Sequence, residues 1–179
     1  MFPPISCRGK KVYLRQAMEA DVPALTQWVG DIEVMKHVTM RTYTLEEEYA
    51  WFREMQENAD EHVFFICLAG SGELIGSCGI HNVRNPTTVG IGLFIGDRTQ
   101  WGKGYGTEAV QLLLDHIRKE CCVPRVWLRV DTVNQPAIRC YEKCGFMTYE
   151  RHKNPERIFS NGEEYLMELI FPGAEDKMM

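Results

Sequence analysis

Three glycines at alternate positions, Gly102, Gly104 and Gly106, limit most strongly what this chain can fold into. They follow an apolar stretch from Val89 to Asp97 and precede an amphipathic segment from Thr107 to Asp115, an order typical of a strand, a tight crossing and a helix. Because glycine has no Cβ, the backbone of such a crossing can approach a ligand closely. A helix that begins directly behind the crossing points its free N–H groups and its positive dipole end at the same place. The pattern therefore predicts an anion site, most often one for a phosphate.

Composition narrows the class of protein. The 179 residues suit one domain, 1–179, with a frayed tail from 172 onward. A net charge of -5 argues against nucleic acid as a partner, since that surface needs clustered Lys and Arg. No apolar run has the length of a signal core or a membrane span, so we expect no membrane partner. The seven cysteines and five histidines show no metal-ligand spacing, which predicts reduced thiols, a cytoplasmic location and no metal site.

The order of elements predicts an α+β (mixed α/β) domain with a mixed, mostly antiparallel sheet of about seven strands and about four helices. Asp21 is predicted to cap the first helix, and Thr44 with Glu47 forms a capping box for the second. A three-stranded meander then precedes the glycine-rich crossing, and a hairpin through the Asn161-Gly162 turn ends the fold. Gly90 and Gly92 inside the third meander strand predict a bulge or a close backbone approach.

The spacing of the glycines excludes two common phosphate sites. A P-loop needs G-x-x-x-x-G-K-[ST], and the segment from Gly102 to Thr107 lacks that spacing. A dinucleotide fingerprint needs G-x-G-x-x-G after an N-terminal strand with an acidic residue about 20 residues later, and this pattern is also absent. A nucleotide-dependent enzyme is therefore a weak alternative.

Two separate blocks resemble one known family. The segment from Trp101 to Ala109 (WGKGYGTEA) is similar to the acetyl-CoA pyrophosphate loop of the GNAT N-acetyltransferase superfamily. The segment from Asn134 to Phe146 resembles the second signature of that superfamily, N-x-x-A-x-x-x-Y-x-x-x-G-F. The subgroup with the most similar pattern includes ribosomal-protein N-terminal and spermidine acetyltransferases. The resemblance implies a GNAT-like fold with a splayed cofactor cleft beside the strand Arg125–Val130.

The resemblance also implies roles for individual residues. Backbone N–H groups of the crossing would bind the pyrophosphate of acetyl-CoA, and Lys103 would add positive charge. Main-chain groups before the crossing would meet the pantetheine amides, as an added strand does. Tyr141 would donate a proton to the departing CoA thiolate, as the catalytic acid. The predicted cofactor-binding residues are Phe94, Ile95, Gly96, Trp101, Gly102, Lys103, Gly104, Tyr105, Gly106, Thr107 and Asn134.

The general base is harder to assign. Many relatives place a glutamate on the third meander strand, and here Gly90 occupies that place. His81, at the end of the preceding strand, is the candidate base, while Asp97, Glu108 and a water relay are alternatives. The cysteines are interpreted as packing residues because none pairs with a base.

These observations predict an acetyl-CoA-dependent N-acetyltransferase that works by direct attack of an amine in a ternary complex. A protein N-terminal α-amine is the preferred acceptor, and a polyamine or an aminoglycoside is the second choice. A non-catalytic CoA-binding sensor is the rival class, because the strand glutamate is absent. A homodimer remains open. Residues expected on the acceptor side are Trp28, Arg41, Tyr43 and Trp51.

Overall fold

The computed structural model describes residues 5–38, 43–156 and 160–172. One sheet contains all eight strands of this part of the chain, in the order β1-β2-β3-β4-β5-β6-β8-β7. The strands are β1 (Ile5–Arg8), β2 (Val12–Gln16), β3 (Glu61–Leu68), β4 (Leu74–His81), β5 (Thr88–Ile95), β6 (Arg125–Asp131), β7 (Met147–Lys153) and β8 (Glu163–Ile170). The α-helices are α1 (Val22–Val29), α2 (Ile32–Met35), α3 (Leu45–Glu57), α4 (Tyr105–His116) and α5 (Gln135–Lys143).

The predicted fold class is confirmed, with one more strand and one more helix than the sequence indicated. The additional strand, β1, has only four residues and pairs with β2 through an irregular register, so it offers little alternation to detect. The additional helix, α2, is a single turn of four residues. The meander β3-β4-β5 and the hairpin β7-β8 form as predicted.

The two faces of the sheet carry separate cores. On one face, α4 and α5 enclose the larger apolar cluster, which includes Ile91 and, at its margin, Leu93 and Ile95 of β5. On the other face, α1 and α2 enclose a smaller cluster, at whose margin Phe94 lies. Because successive residues of a strand point to opposite faces, Gly90, Gly92 and Gly96 share the face of Phe94. Strand β5 therefore separates two compartments.

Strands β5 and β6 are parallel and pair only from Thr88 to Gly90, opposite Arg125 to Trp127. Beyond these pairs the two strands diverge, which confirms the predicted splay. The predicted bulge is wrong, because β4 and β5 keep an unbroken register from His81–Gly90 to Gly76–Ile95. Gly90 instead makes room for the indole of Trp127, which lies 2.7 Å from the place that a Cβ on residue 90 would take.

A buried ion pair fixes the start of α1 on β2. The two terminal guanidinium nitrogens of Arg15 each lie 2.7 Å from a carboxylate oxygen of Asp21, and the two side chains are 9% and 7% exposed. Asp21 does occupy the predicted N-cap position, but its carboxylate accepts from Arg15 and from the N–H of Met18 and does not cap α1. The predicted capping box of Thr44 and Glu47 forms at the start of α3.

Candidate active site at the splayed strands

The glycine-rich crossing has the predicted backbone geometry. Gly102 and Gly104 adopt φ angles of 75° and 82°, which side-chain-bearing residues rarely adopt. Helix α4 begins at Tyr105, and no side chain caps it at Gly104. The N–H groups of its first turn, through Thr107, therefore face outward from the crossing without a side-chain acceptor. This arrangement can hold an anion.

Two lysines lie beside this crossing, one of which the sequence did not indicate. The Lys103 ammonium donates to Gln100 Oε1 at 3.0 Å. The Lys11 ammonium donates to the carbonyl of Lys103 at 3.1 Å and lies 3.3 Å from where a Cβ on Gly104 would be. Lys11 is distant in sequence, so no local pattern could have placed it here. Both lysines line a cavity of about 330 Å³, with Leu68, Gly70, Ser71 and Tyr105.

Glu108 anchors this region and is not available as a base. Its carboxylate accepts from the backbone N–H groups of Lys10, Lys11 and Val12 at 3.1, 2.7 and 2.7 Å. The contact ties the first turn of α4 to the start of β2. Asp97 is also occupied: hydrogen bonds from Thr99 lower the pKa of its carboxyl group, which weakens it as a base.

The edge of β5 beyond Gly90 is only partly open. The N–H of Gly96 donates to Ile75 of β4 at 2.8 Å, so Gly96 and, by alternation, Phe94 direct their main-chain groups toward β4. Ile95 faces the splay, where its carbonyl accepts from the Trp101 indole at 2.8 Å. Trp101 thus closes the end of the opening. Of the three residues predicted to offer main-chain groups, only Ile95 directs its N–H into the opening. The main chain of Leu93, which the sequence did not indicate, faces the opening as well.

Tyr141 lies on the α4–α5 face of the sheet. Its ring is 5% exposed and packs edge to face against Phe146. Burial raises the pKa of the Tyr141 hydroxyl, with smaller contributions from the nearby Cys140, Cys144 and Cys78 thiols, so the group stays protonated at neutral pH. Asn134 caps α5 by accepting from Ala137 N–H at 3.3 Å.

A pair of thiols joins the two helices of this face. The Thr107 hydroxyl donates to Cys140 Sγ at 3.4 Å, and the Cys144 thiol donates to the Thr107 carbonyl at 3.6 Å. The interaction with Cys144 lowers the pKa of the Cys140 thiol most, burial opposes this, and the bond from Thr107 lowers the pKa further. The interaction with Cys140 in turn raises the pKa of Cys144. These contacts tie the start of α4 to α5, and both cysteines also pack against the larger core.

The opposite face holds His81. Its Nε2 atom lies 3.7 Å from where a Cβ on Gly92 would be, and its Nδ1 atom lies 3.6 Å from Glu61 Oε1. The side chain is 45% exposed. His81 thus faces the space above β5 immediately past the last pair with β6. Tyr141 and His81 stand on opposite faces of the sheet.

The aromatic residues expected on the acceptor side pack near the smaller core. The Trp28 ring covers Gly96 so closely that a Cβ there would lie 2.1 Å from Cδ2, and it meets Phe94 edge to face. Tyr43 and Trp51 pack at the margin of the smaller core. Arg41 lies outside the described residues.

Two other kinds of site are absent from the described residues. Within them, no group of three or more His, Cys, Asp or Glu side chains could hold a metal ion. Among the helices of the same residues, none has the length and apolar character needed to cross a membrane.

An uncapped helix start behind a glycine-rich loop, beside a strand edge opened by splay, forms a site that can hold a phosphate-bearing ligand. The sequence comparison specifies the class of protein: the chain belongs to the acetyltransferase (GNAT) domain family, whose model matches residues 11–147. Membership confirms the predicted acyltransferase class, with acetyl-CoA as the acetyl donor.

The individual relatives share less than a third of their residues with this chain. A human protein described as alpha/beta-tubulin-N-acetyltransferase 9 is 29% identical over 151 residues, covering 77% of this chain and 73% of that protein. Two solved structures share the fold. Spermidine N-acetyltransferase from Vibrio cholerae, in complex with CoA and spermine, has a TM-score of 0.81 at 19% identity and covers 90% of this chain and 96% of its own. An aminoglycoside acetyltransferase in complex with coenzyme A has a TM-score of 0.76 at 22% identity, with 93% and 98% covered.

Proposed function

We propose that this protein transfers the acetyl group of acetyl-CoA to the N-terminal α-amine of a protein, through direct attack within a ternary complex. The donor would enter from the α4–α5 face, with its pyrophosphate at the glycine-rich crossing and its pantetheine along β5. The acceptor would enter from the opposite face, above Gly92. The observation that carries this proposal is the opening between β5 and β6, which has the anion site on one face and His81 above Gly92 on the other. Tyr141 belongs to the same face as the anion site.

The proposed residues divide the chemistry between them. His81 takes a proton from the acceptor ammonium, so that the neutral amine can attack the thioester carbonyl. The new C–N bond forms as the C–S bond breaks, and the amine nitrogen loses its second proton to solvent. Tyr141 gives its hydroxyl proton to the departing thiolate and is reprotonated from water. Burial keeps the Tyr141 hydroxyl protonated but also raises its pKa and so makes it a weaker acid, and the assignment of the acid therefore rests on the motif that contains Tyr141.

The preference for a protein acceptor has two supports. One is the name of the human relative, an alpha/beta-tubulin-N-acetyltransferase, which points to a protein target. The other is the charge near the opening. Asp131 and Glu164, the carboxylates at the end of β6 and beside it on β8, are fully buried and engaged by His37 and His152. Beside His81, Glu61 offers one half-exposed carboxylate. A polycation would need several such carboxylates along its path, whereas a single α-amine would not.

The test is acetyl-CoA turnover, followed by thiol release, with peptides, polyamines and aminoglycosides as parallel acceptors. We expect the highest kcat/KM with peptides that have a free α-amine, and no reaction with the same peptides after N-terminal blocking. A faster reaction with spermidine or an aminoglycoside would replace the acceptor assignment. Tight acetyl-CoA binding without turnover on any acceptor would favour the sensor alternative, which the glycine at position 90 motivates.

Two substitutions test the assigned roles. Tyr141→Phe removes the proton donor and should lower kcat by roughly 10²- to 10⁴-fold, while the Kd for acetyl-CoA changes little. His81→Gln should lower kcat/KM for the amine, because the group that takes the proton is lost. Unchanged turnover in Tyr141→Phe would refute the acid assignment, and an unchanged kcat/KM in His81→Gln would assign proton removal to water.

A further inference from the structure

Residues 28–37, which we call the acceptor segment, cross the mouth of the opening between β5 and β6. At the β5 end, Trp28 covers Gly96, and Asp31 lies 3.6 Å from the Arg98 guanidinium. At the β6 end, His37 Nδ1 lies 2.9 Å from Asp131 Oδ2. The acceptor segment therefore spans two strand ends that no backbone pairing holds together.

Asp131 contacts more than the acceptor segment. Its side chain is 0% exposed, and its second carboxylate oxygen accepts from the Val133 N–H at 3.2 Å. Its main-chain carbonyl accepts from the Asn134 N–H at 2.9 Å. The same residue therefore shapes the turn that places Asn134 at the start of α5, the helix of Tyr141.

The surroundings make the His37 contact energetically important. Asp131 stands directly opposite Glu164 in the β6–β8 pairing, and both side chains are fully buried. A buried carboxylate needs a hydrogen-bond donor for each oxygen, and a like charge opposite increases that need. If His37 were removed, one oxygen of Asp131 would lose its donor, whereas the bond to Val133 would remain.

We infer that Asp131 is a positioning residue that couples the acceptor segment to the donor helix, through His37 on one side and the Val133–Asn134 turn on the other. The inference rests on the proposed function, because it assigns the acceptor to the face that the acceptor segment covers. It predicts that substitutions can remove the His37 contact of Asp131 without removing its contact with the Val133–Asn134 turn. Loss of the His37 contact affects the amine, and loss of the whole carboxylate affects both substrates.

The experiment measures the Kd for acetyl-CoA by calorimetry, and kcat and KM for the amine that the wild type acetylates fastest. His37→Ala should raise the amine KM by about tenfold or more, the effect of a hydrogen bond to a charged group, with the acetyl-CoA Kd within twofold. His37→Asn, whose amide can donate near the place of Nδ1, should restore the KM to within about threefold and keep the wild-type pH profile. The exposed His62 on β3 provides the control variant His62→Ala, which should change neither constant.

Asp131→Ala should raise the amine KM and the acetyl-CoA Kd together. If that variant does not fold, Asp131→Ser replaces it: the shorter hydroxyl can still accept from Val133 but cannot reach His37, so only the amine KM should rise. An equal rise of both constants in His37→Ala would overturn the inference. The inference would also be overturned if His37→Asn had an amine KM as high as that of His37→Ala, because a hydrogen-bond donor at this position would then not be enough. Absence of acetyl-CoA binding in the wild type would refute the proposed function itself, before any variant is compared.

Discussion

Gly90→Ala tests whether the indole of Trp127 excludes a side chain from the place where many relatives have a glutamate. A Cβ on residue 90 would lie 2.7 Å from Cζ2 and 2.9 Å from Cε2 of Trp127. Both atoms belong to a rigid ring, and the Arg129 guanidinium lies 5.6 Å from the centroid of that ring. The ring therefore cannot give way as a flexible chain end does.

The expected magnitude follows from two opposing terms. Forcing a methyl group into a filled space costs about 1–3 kcal/mol. Replacing glycine within a strand by alanine returns about 0.5–1 kcal/mol of backbone entropy. We expect a net loss of about 1–2 kcal/mol, which lowers Tm by roughly 2–8 °C for a chain of this size.

Gly92→Ala is the matched control, since it lies on the same strand and face, and the nearest atom to its Cβ would be His81 Nε2 at 3.7 Å. It should leave Tm unchanged or raise it by about 1–4 °C. Thermal unfolding is measured for both variants, each with Trp127 and in the Trp127→Ala background. In that background Gly90→Ala should behave like Gly92→Ala. If Gly90→Ala were neutral with Trp127 present, or if its effect were the same in both backgrounds, the steric argument would be refuted.

Two further predictions concern the anion site. Lys11→Met should raise the KM for acetyl-CoA several-fold without changing kcat, because one cation beside the crossing is lost. The control variant Lys10→Met, at the neighbouring position, should leave this KM unchanged. Equal effects of the two substitutions would contradict the assignment of Lys11 to the anion site. Iodoacetamide should alkylate Cys140 at a lower pH than an ordinary cysteine, because hydrogen bonds lower the pKa of its thiol, and acetyl-CoA should protect it. Cys144→Ala should move the pH midpoint of alkylation upward, measured by mass spectrometry; an unmoved midpoint would refute this explanation.

Local chemistry explains which parts of the fold could be predicted from the sequence. The left-handed glycines at 102 and 104 and the helix start behind them depend on consecutive residues, so their pattern is visible in one stretch. The Thr44 capping box is equally local. The motif around Tyr141 identified the family for the same reason.

The features that the sequence did not reveal join residues far apart in the chain. Gly90 and Gly92 look alike in the sequence, yet a Cβ on the first would clash with an indole and a Cβ on the second would make an ordinary contact with His81. Nothing near Glu108 shows that its carboxylate accepts three N–H groups from the start of β2. The contact between His37 and Asp131 likewise depends on where α2 ends above the sheet. Tertiary packing determines each of these contacts, and a local sequence pattern does not predict tertiary packing.

Only three residue pairs connect β5 to β6, and this seam divides the sheet into an N-terminal and a C-terminal half. The anion loop and His81 belong to the first half, whereas Asn134 and Tyr141 belong to the second. A donor bound in the opening would contact both halves and so act as a ligand-dependent cross-link between them. The amide protons bordering the seam should then gain more protection from hydrogen exchange on acetyl-CoA binding than those at the centre of the meander.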